Sequence, residues 1–220
     1  MTKNTKNRFD SRSQNQDIYS DFYPAKKKRY GQHFLRKQSV VDHMIEKVTL
    51  TPQHSVLEIG TGDGFLSQSI LDQTTCKQLR SYEIDHEWAT VVRSKIRDKR
   101  FVLKEENFLE ANLSELESDK PWVVLANLPY QVTFPIIFTF LKYKDLFTEG
   151  VVMVQEEVAQ KIVSDYGRGY NPTSLFLQYH FDWELLEKIE PAAFDPAPKV
   201  YSRLLYFKPK FDLTPIPQEE

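Results

Sequence analysis

Short runs of β-branched and other apolar residues alternate with segments of helical periodicity along most of this chain. The runs lie at residues 55–59, 78–84, 100–103, 122–126 and 150–155. Apolar residues recur with helical spacing at 39–48, where Ser39 is the expected N-cap, and at 64–72, 86–97, 113–117 and 133–143. Strands that alternate with helices in this way predict a parallel sheet with helices on both faces.

The last two apolar runs, at 181–189 and 200–207, are separated only by a short Pro-rich segment. Such a segment is too short for a helical crossover, so we expect these two strands to pair antiparallel. The predicted fold is therefore α/β and Rossmann-like, with a mostly parallel seven-stranded sheet and an antiparallel hairpin at one edge. We expect one domain at 26–210, a disordered polar tail at 1–25 and a C-terminal tail at 211–220.

Positive charge is concentrated at the front of the chain. The net charge is −2 overall, but residues 1–29 contain eight Lys or Arg against three Asp. Residues 1–23 are typical of a solubilising, disordered segment. For Lys26, Lys27, Lys28 and Arg29, which adjoin the first motif, two interpretations remain open: contacts to RNA phosphates, or a solvated charge run. A nuclear-import signal is a third and weaker interpretation.

Cysteine usage and hydropathy favour the cytoplasm. Cys76 is the single cysteine, so the chain forms no internal disulfide and has no cysteine pair with metal-ligand spacing. The sequence has neither an apolar run of membrane-spanning length nor the apolar stretch of a signal peptide at its start. We therefore expect a cytoplasmic protein with no membrane partner and no metal.

A Gly-rich turn follows the first buried run, in the sequence Val-Leu-Glu-Ile-Gly-Thr-Gly-Asp-Gly at 56–64. Glycines such as Gly60 and Gly62 let a ligand approach the backbone closely. Glu83 ends the next run, about 20 residues further on, where a carboxylate can accept hydrogen bonds from ribose hydroxyls. The dinucleotide fingerprint would need Gly where Phe65 or Ser67 stands, so a pyrophosphate cradle is disfavoured. The alternative for Glu83 is a solvated strand end.

The fourth run ends in Asn127-Leu128-Pro129-Tyr130, where a substrate would meet the cofactor. The amide oxygen of Asn127 and the backbone carbonyl of Leu128 can accept both N–H groups of an exocyclic amine and align its nitrogen for methyl transfer. Pro129 would stiffen the turn. Tyr130 offers a face on which a flipped-out base stacks. The alternative is an ordinary strand-to-loop turn with a half-buried tyrosine.

The segment Phe194-Asp195-Pro196-Ala197-Pro198-Lys199-Val200 precedes the last run. Its two prolines fix its shape, so Phe194 is a candidate second stacking surface and Lys199 a candidate phosphate contact. A Pro-rich turn with one aromatic ring tucked into the core remains an equal alternative.

These motifs, in order, resemble those of the ribosomal RNA adenine dimethyltransferases. The resemblance covers roughly residues 26–208 and rests on six segments: Tyr-Gly-Gln-His-Phe-Leu at 30–35, the Gly-rich turn at 57–64, Tyr-Glu-Ile-Asp at 82–85, the Asn-Leu-Pro-Tyr turn at 127–130, Met-Val-Gln-Glu-Glu-Val-Ala at 153–159 and the segment at 194–200.

The resemblance implies S-adenosyl-L-methionine as cofactor and two successive methyl transfers to adenine N6. It implies a cofactor pocket lined by His33, Leu35, Gly60, Gly62, Glu83, Asn107 and Asn127, with Glu83 on the ribose. It also implies that Asn127, Leu128, Tyr130 and Phe194 hold the target adenine.

The sequence departs from the family pattern at three places. His33 stands where Asn is commoner, and Asn107 stands where Asp usually contacts the cofactor adenine. Family members also usually continue into a small C-terminal helical domain that helps to grip RNA, which this sequence lacks. Leu128 and the segments at 155–159 and 194–200 favour the small-subunit branch over the large-subunit, macrolide-resistance branch, which usually has Ile after the Asn.

The expected partner is ribosomal RNA or a ribosomal subunit precursor, and we expect the protein to be a monomer. Alternatives are a large-subunit rRNA methyltransferase and a noncatalytic RNA-binding ribosome-assembly factor. The acid-containing leader argues against a mitochondrial transcription factor. A slot between Tyr130 and Phe194 would suit a flat base, which argues against small-molecule methylation.

Overall fold

A seven-stranded sheet forms the centre of the protein, in a computed structural model that describes residue 24, residues 32–167 and residues 170–213. The order across this sheet is β4-β3-β2-β5-β6-β9-β7, and β1 and β8 form a separate two-stranded sheet. In chain order the strands are β1 (Phe34–Leu35), β2 (Ser55–Ile59), β3 (Gln78–Tyr82), β4 (Phe101–Lys104), β5 (Trp122–Asn127), β6 (Phe147–Gln155), β7 (Phe181–Ile189), β8 (Phe194–Asp195) and β9 (Ser202–Pro209).

Helices cover both faces of the large sheet. They are α1 (Gln38–Lys47), α2 (Phe65–Gln73), α3 (His86–Lys95), α4 (Thr133–Lys142), α5 (Glu156–Val163) and α6 (Pro172–His180). Buried residues of α1, α2 and α3 belong to one apolar cluster. Those of α4, α5 and α6 belong to the other. The predicted doubly wound arrangement is confirmed.

The parallel strands are apolar because both of their faces are buried. All five residues of β2 are buried, with Val56 in one cluster and Leu57 in the other. Val56 lies opposite Leu79 of β3 and Val123 of β5, in parallel register on both sides. The carboxyl ends of β2, β3 and β5 therefore meet at the same edge of the sheet.

The last strand lies inside the sheet. β9 pairs antiparallel with β6 and with β7, so Leu205 has Val152 on one side and Leu185 on the other. The predicted antiparallel pairing of the two final runs is confirmed. Ser202, at the start of β9, lies opposite Gln155 at the end of β6. It therefore lies at the same edge of the sheet as the carboxyl ends of the parallel strands.

Local differences from the predicted elements have local causes. The first helix begins at Gln38 with Lys37 at the N-cap, so the prediction of Ser39 as N-cap is wrong. The segment predicted as a helix at 113–117 is a 3-10 helix over Leu113–Asp119. β6 begins at Phe147, three residues before the predicted start, because Phe147 pairs with Trp122. Neither α5 nor α6 was predicted.

The two-stranded sheet joins the residues before α1 to the segment before β9. Leu35 lies opposite Phe194, and the amide of Arg36 donates to the carbonyl of Ala193 at 2.8 Å. These contacts join an early segment of the chain to a late one. They hold residues 32–35 against the edge of the large sheet at which β2, β3 and β5 end.

Two predicted segments lie outside the described residues: positions 1–23 of the N-terminal tail and positions 214–220 of the C-terminal tail. Lys26, Lys27, Lys28 and Arg29 also lie outside them. Within the part that the structure describes, no helix combines the length and the apolar character needed to cross a membrane.

Candidate active site

A pocket of about 230 Å³ opens at the carboxyl ends of β2, β3 and β5. Its walls include every residue that the sequence analysis placed around the cofactor, and also the Asn-Leu-Pro-Tyr turn. These residues are His33, Leu35, Gly60, Gly62, Glu83, Asn107, Asn127, Leu128, Pro129 and Tyr130. The structure therefore brings the predicted cofactor residues and the Asn-Leu-Pro-Tyr turn into one cavity.

The Gly-rich turn needs glycine for two reasons. Gly60, Gly62 and Gly64 all have positive φ, at 77°, 54° and 81°, a region that other residues rarely adopt. A Cβ on Gly62 would also lie 2.8 Å from the Phe34 ring. The turn thus presents bare backbone to the pocket, which suits the close approach of a nucleoside.

Glu83 is held at the floor of this turn. Its carboxylate accepts hydrogen bonds from the backbone amide of Gly62 at 3.0 Å, the hydroxyl of Thr61 at 3.1 Å and the amide of Asp85 at 2.8 Å. Burial raises the pKa of Glu83, and these three donors act in the opposite direction. An ionised carboxylate has about four acceptor positions, so one more donor, such as a ribose hydroxyl, can be accommodated.

Two exposed apolar residues form the rim beside Glu83. Ile84 is 48% and Leu109 is 36% exposed, and both line the pocket. Between them Asn107 accepts a hydrogen bond from the amide of Leu109 at 3.1 Å and donates to Glu110 at 2.7 Å. Neither Ile84 nor Leu109 was among the predicted site residues, although an apolar residue directly after Glu83 was a usable signal. Such a rim suits the flat faces of an adenine ring.

The amide of Asn127 is oriented by the protein. Its Nδ2 donates to the backbone carbonyl of His33 at 3.0 Å. Within the described residues no donor reaches Oδ1, so this oxygen is available to a ligand in the pocket. The amide of Leu128 donates to the carbonyl of Met153 at 3.0 Å, which ties the turn to β6. The turn therefore holds an acceptor at the pocket wall.

Tyr130 lies at the mouth of the same pocket. Its hydroxyl is 2.6 Å from the Ser202 hydroxyl, and its ring stacks on the His33 ring with centroids 5.8 Å apart and planes inclined by 24°. Burial raises the pKa of Tyr130, which keeps the phenol neutral. The His33 ring also donates from Nδ1 to the carbonyl of Pro196 at 2.8 Å.

Phe194 does not line the pocket. It is 5% exposed and packs in the apolar cluster that contains Leu35. The structure thus places it where the alternative interpretation did, as an aromatic ring in the core, because its backbone is held by pairing with β1. Its role in holding adenine stays a prediction. Lys199 is exposed in the loop before β9.

Beneath the Gly-rich turn lies a carboxyl group that the sequence analysis passed over. Glu58 is 0% exposed, and the hydroxyls of Ser67 and Ser81 both donate to its Oε2. Its Oε1 has no hydrogen-bond partner in the described residues. Burial raises the pKa of Glu58 to about 7.

The residues present fit S-adenosyl-L-methionine. The glycine backbone at Gly60, the acceptor Glu83, the apolar rim and the open Asn127 oxygen match the nucleoside and methyl-bearing parts of that molecule. No group of His, Cys, Asp or Glu residues suited to a metal ion occurs in the part of the chain that the structure describes.

Comparisons with known proteins identify the family of this chain. The sequence profile of the family described as "Ribosomal RNA adenine dimethylase" matches residues 24–218. A relative from Geobacter metallireducens, named ribosomal RNA small subunit methyltransferase A, is 35% identical over 188 residues, which cover 83% of this chain and 68% of the relative. A relative of the same name from Alcanivorax borkumensis is 32% identical over 196 residues, covering 88% and 69%.

Two solved structures are similar to this chain in fold. The 23S rRNA methyltransferase ErmE is 28% identical and superposes with a TM-score of 0.72, covering 82% of this chain and 71% of that one. A dimethyladenosine transferase from Plasmodium falciparum, at 24% identity, has a TM-score of 0.73 over 81% of this chain and 64% of that one, a likeness of fold. The profile match spans almost the whole chain, and the chain therefore belongs to the ribosomal RNA adenine dimethylase family.

Proposed function

We propose that this protein is an S-adenosyl-L-methionine-dependent enzyme that dimethylates N6 of adenine in small-subunit ribosomal RNA. The observation that carries the proposal is the open Oδ1 of Asn127, held at the wall of a pocket that also contains the Gly-rich turn and Glu83. Family membership and the names of the relatives support the same activity.

The chemical demand of the reaction is alignment. The lone pair of an exocyclic amine is delocalised into the adenine ring, so the nitrogen is a poor nucleophile until it is positioned. Asn127 Oδ1 and the Leu128 carbonyl accept the two N–H groups and direct the nitrogen toward the cofactor. S-adenosyl-L-methionine supplies an electrophilic methyl group on its sulfonium. Positioning then carries most of the rate enhancement.

The target base must leave its helix to reach this pocket. Tyr130 provides a stacking face for the flipped adenine, which stacking stabilises by about 1–3 kcal/mol per base. Asn127, Leu128, Tyr130 and Phe194 together make up the proposed base site, and Phe194 would have to turn out of the core to join it. Lys26, Lys27, Lys28, Arg29 and Lys199 are the proposed phosphate contacts.

The proposed organisation is a methyltransferase domain at 26–210 between two tails, in a monomer that acts in the cytoplasm on ribosomal RNA or on a subunit precursor. In this proposal the contacts that hold the RNA come from the basic residues at the front of the domain, from the ribosomal particle itself or from another protein.

Methylation of large-subunit rRNA is a second candidate, because ErmE, a 23S rRNA methyltransferase, is 28% identical to this chain. The two candidates differ in their RNA. The names of the relatives favour the small subunit.

The test is methyl transfer from radiolabelled S-adenosyl-L-methionine to undermethylated small-subunit particles and, separately, to protein-free large-subunit rRNA. Asn127→Ala should reduce kcat by about 100-fold, because an oriented acceptor is lost. Asn112→Ala is the matched control: this asparagine caps the 3-10 helix at Leu113–Asp119 and lies on the surface. It should leave the rate unchanged.

Label in dimethyladenine of the small-subunit particles is the expected outcome. Label in large-subunit RNA alone would replace the first candidate by the second. If the protein binds S-adenosyl-L-methionine but labels neither RNA, it is a noncatalytic binding factor and the proposed function is wrong.

A further inference from the structure

One hydrogen bond links the two segments that surround the base site. The Tyr130 hydroxyl lies 2.6 Å from Oγ of Ser202. Tyr130 belongs to the turn that follows β5, and Ser202 begins β9, shortly after β8 with Phe194 and the loop with Lys199. The two residues are 72 positions apart in the chain, so the bond is a long-range tie at the mouth of the pocket.

Ser202 is a rigid anchor for this bond. It is 0% exposed and lies in register with Gln155 of β6 on one side and Ile189 of β7 on the other. The neighbouring Arg203 forms two charge-assisted hydrogen bonds to Glu156 at the start of α5, with both distances at 2.8 Å or below. The serine hydroxyl therefore has a fixed position relative to the pocket.

The bond constrains the ring of Tyr130 in one specific way. The phenol oxygen lies on the long axis of the ring, so its hydrogen bond fixes the direction of that axis but leaves rotation about it free. The nearby His33 ring, inclined by 24° to the Tyr130 ring, limits that rotation. The two contacts together set the orientation of the face on which a base would stack.

We propose that Ser202 is a positioning residue for methyl transfer: it holds the Tyr130 ring in the orientation that stacks on the target adenine. This inference rests on the proposed function, since it assigns Ser202 a part in that same base site. It also means that the Asn-Leu-Pro-Tyr turn and the start of β9 act on the substrate as one unit.

A double-mutant cycle tests the proposal through the variants Ser202→Ala, Tyr130→Phe and the combination. Each single change should lower kcat/KM for the RNA by about 10-fold, because both remove the same hydrogen bond. Neither should change the affinity for S-adenosyl-L-methionine. The double variant should be no worse than either single variant, since contacting residues are not additive. Ser202→Thr, which keeps a hydroxyl, should recover most of the activity.

Ser55→Ala is the matched control. Ser55 is also 0% exposed, also begins a strand and donates one hydrogen bond, to the carbonyl of Asp119 at 2.8 Å. Its loss should lower the melting temperature but leave kcat and KM unchanged. Equal kinetic effects of Ser55→Ala and Ser202→Ala would reduce Ser202 to a structural residue and overturn the proposal, as would multiplicative effects in the double variant.

A measurement that needs no activity separates this proposal from the proposed function. In protein labelled with 3-fluorotyrosine, the ¹⁹F resonance of Tyr130 is assigned by its absence in Tyr130→Phe. Ser202→Ala should shift or broaden that resonance, and Ser55→Ala should not. An unchanged resonance would overturn the positioning role even in an active enzyme, whereas a wild-type protein that methylates no RNA would refute the proposed function.

Discussion

Glu58 is a carboxyl group that is fully buried in the folded protein. It lies under the Gly-rich turn with both hydroxyl donors on one oxygen, and the other oxygen has no partner among the described residues. Desolvation disfavours its charged form, and the nearby carboxylates of Glu83 and Asp63 act in the same direction. The protonated form is therefore favoured in the folded protein at pH values where an unfolded chain ionises.

The raised pKa of Glu58 predicts that the free energy of unfolding falls as the pH rises. With a pKa of about 7 folded and 4.5 unfolded, the folded state binds the proton more tightly. The associated stability is fully present below pH 4.5 and is lost as the pH rises through 7. Relative to Glu58→Gln, wild-type protein should lose about 2–3 kcal/mol of unfolding free energy between pH 5 and pH 8.

Urea denaturation at the two pH values measures this difference. Glu46→Gln, a change at an exposed carboxylate of α1, is the control and should follow the wild type at both. A constant gap between wild type and Glu58→Gln would show that Glu58 is ionised in the folded state at pH 5.

Among individual residues, the sequence predicted those that line the pocket at the carboxyl ends of strands. Gly60, Glu83 and Asn127 could be located because each stands at the carboxyl end of a strand, and parallel strands end at a common edge. The burial of Phe194 could not be predicted, since it depends on a two-residue strand pairing with Leu35 across the chain. The link between Tyr130 and Ser202 is equally non-local.

Among the elements, α6 has the most complete start signal. Asn171 accepts from the amides of Thr173 and Ser174, at 2.9 and 3.2 Å, and the Ser174 hydroxyl accepts from the Asn171 amide at 2.9 Å. Pro172 occupies the first helical position. This reciprocal capping satisfies donors that the first turn of a helix leaves unpaired.

Asn171→Ala should destabilise the protein by about 1 kcal/mol, because the amides of Thr173 and Ser174 lose their acceptor. Asn171→Asp retains an acceptor at the N-cap and should have little effect. Urea midpoints of the two variants give the comparison. Equal losses of stability in both variants would contradict the prediction that the side-chain acceptor at position 171 stabilises the helix.

The helices α5 and α6, of eight and nine residues, were not predicted; they follow one another in the crossover to β7. The Asn-Pro-Thr-Ser start of α6 carries a capping signature that the sequence-based prediction did not use. Longer amphipathic segments such as α1 were predicted to within a residue at each end. Their periodic apolar faces extend over enough turns to stand out.

In the molecule as a whole, the pocket walls come from β1, β2, β3, β5 and the loop after β4. A ligand bound there contacts several parts of the fold at once and stabilises the folded state. S-adenosyl-L-homocysteine at about 100 times its Kd should add about 2.7 kcal/mol of stability. For a chain of this size that raises Tm by about 5–10 °C.

Thermal melts with and without S-adenosyl-L-homocysteine check this expectation. Glu83→Gln should reduce the rise in Tm by half or more, because the new NH2 group faces the Gly62 amide and removes an acceptor for the ribose. Glu46→Gln should show the full rise. An undiminished rise in Glu83→Gln would remove Glu83 from the cofactor site.

Strand order has a consequence for how the protein is made. Ribosomes deliver β6 and β7 before β9, yet β9 lies between them and, among the described strands, is the partner with which β7 pairs. Until β9 emerges, the nascent chain exposes the open edge of β6 with its apolar run at 150–154, a template for pairing with other chains. Ser202 arrives with β9, so the same late step that closes the sheet also forms the hydrogen bond between Tyr130 and Ser202. A half-made chain therefore lacks the positioned form of the proposed base site.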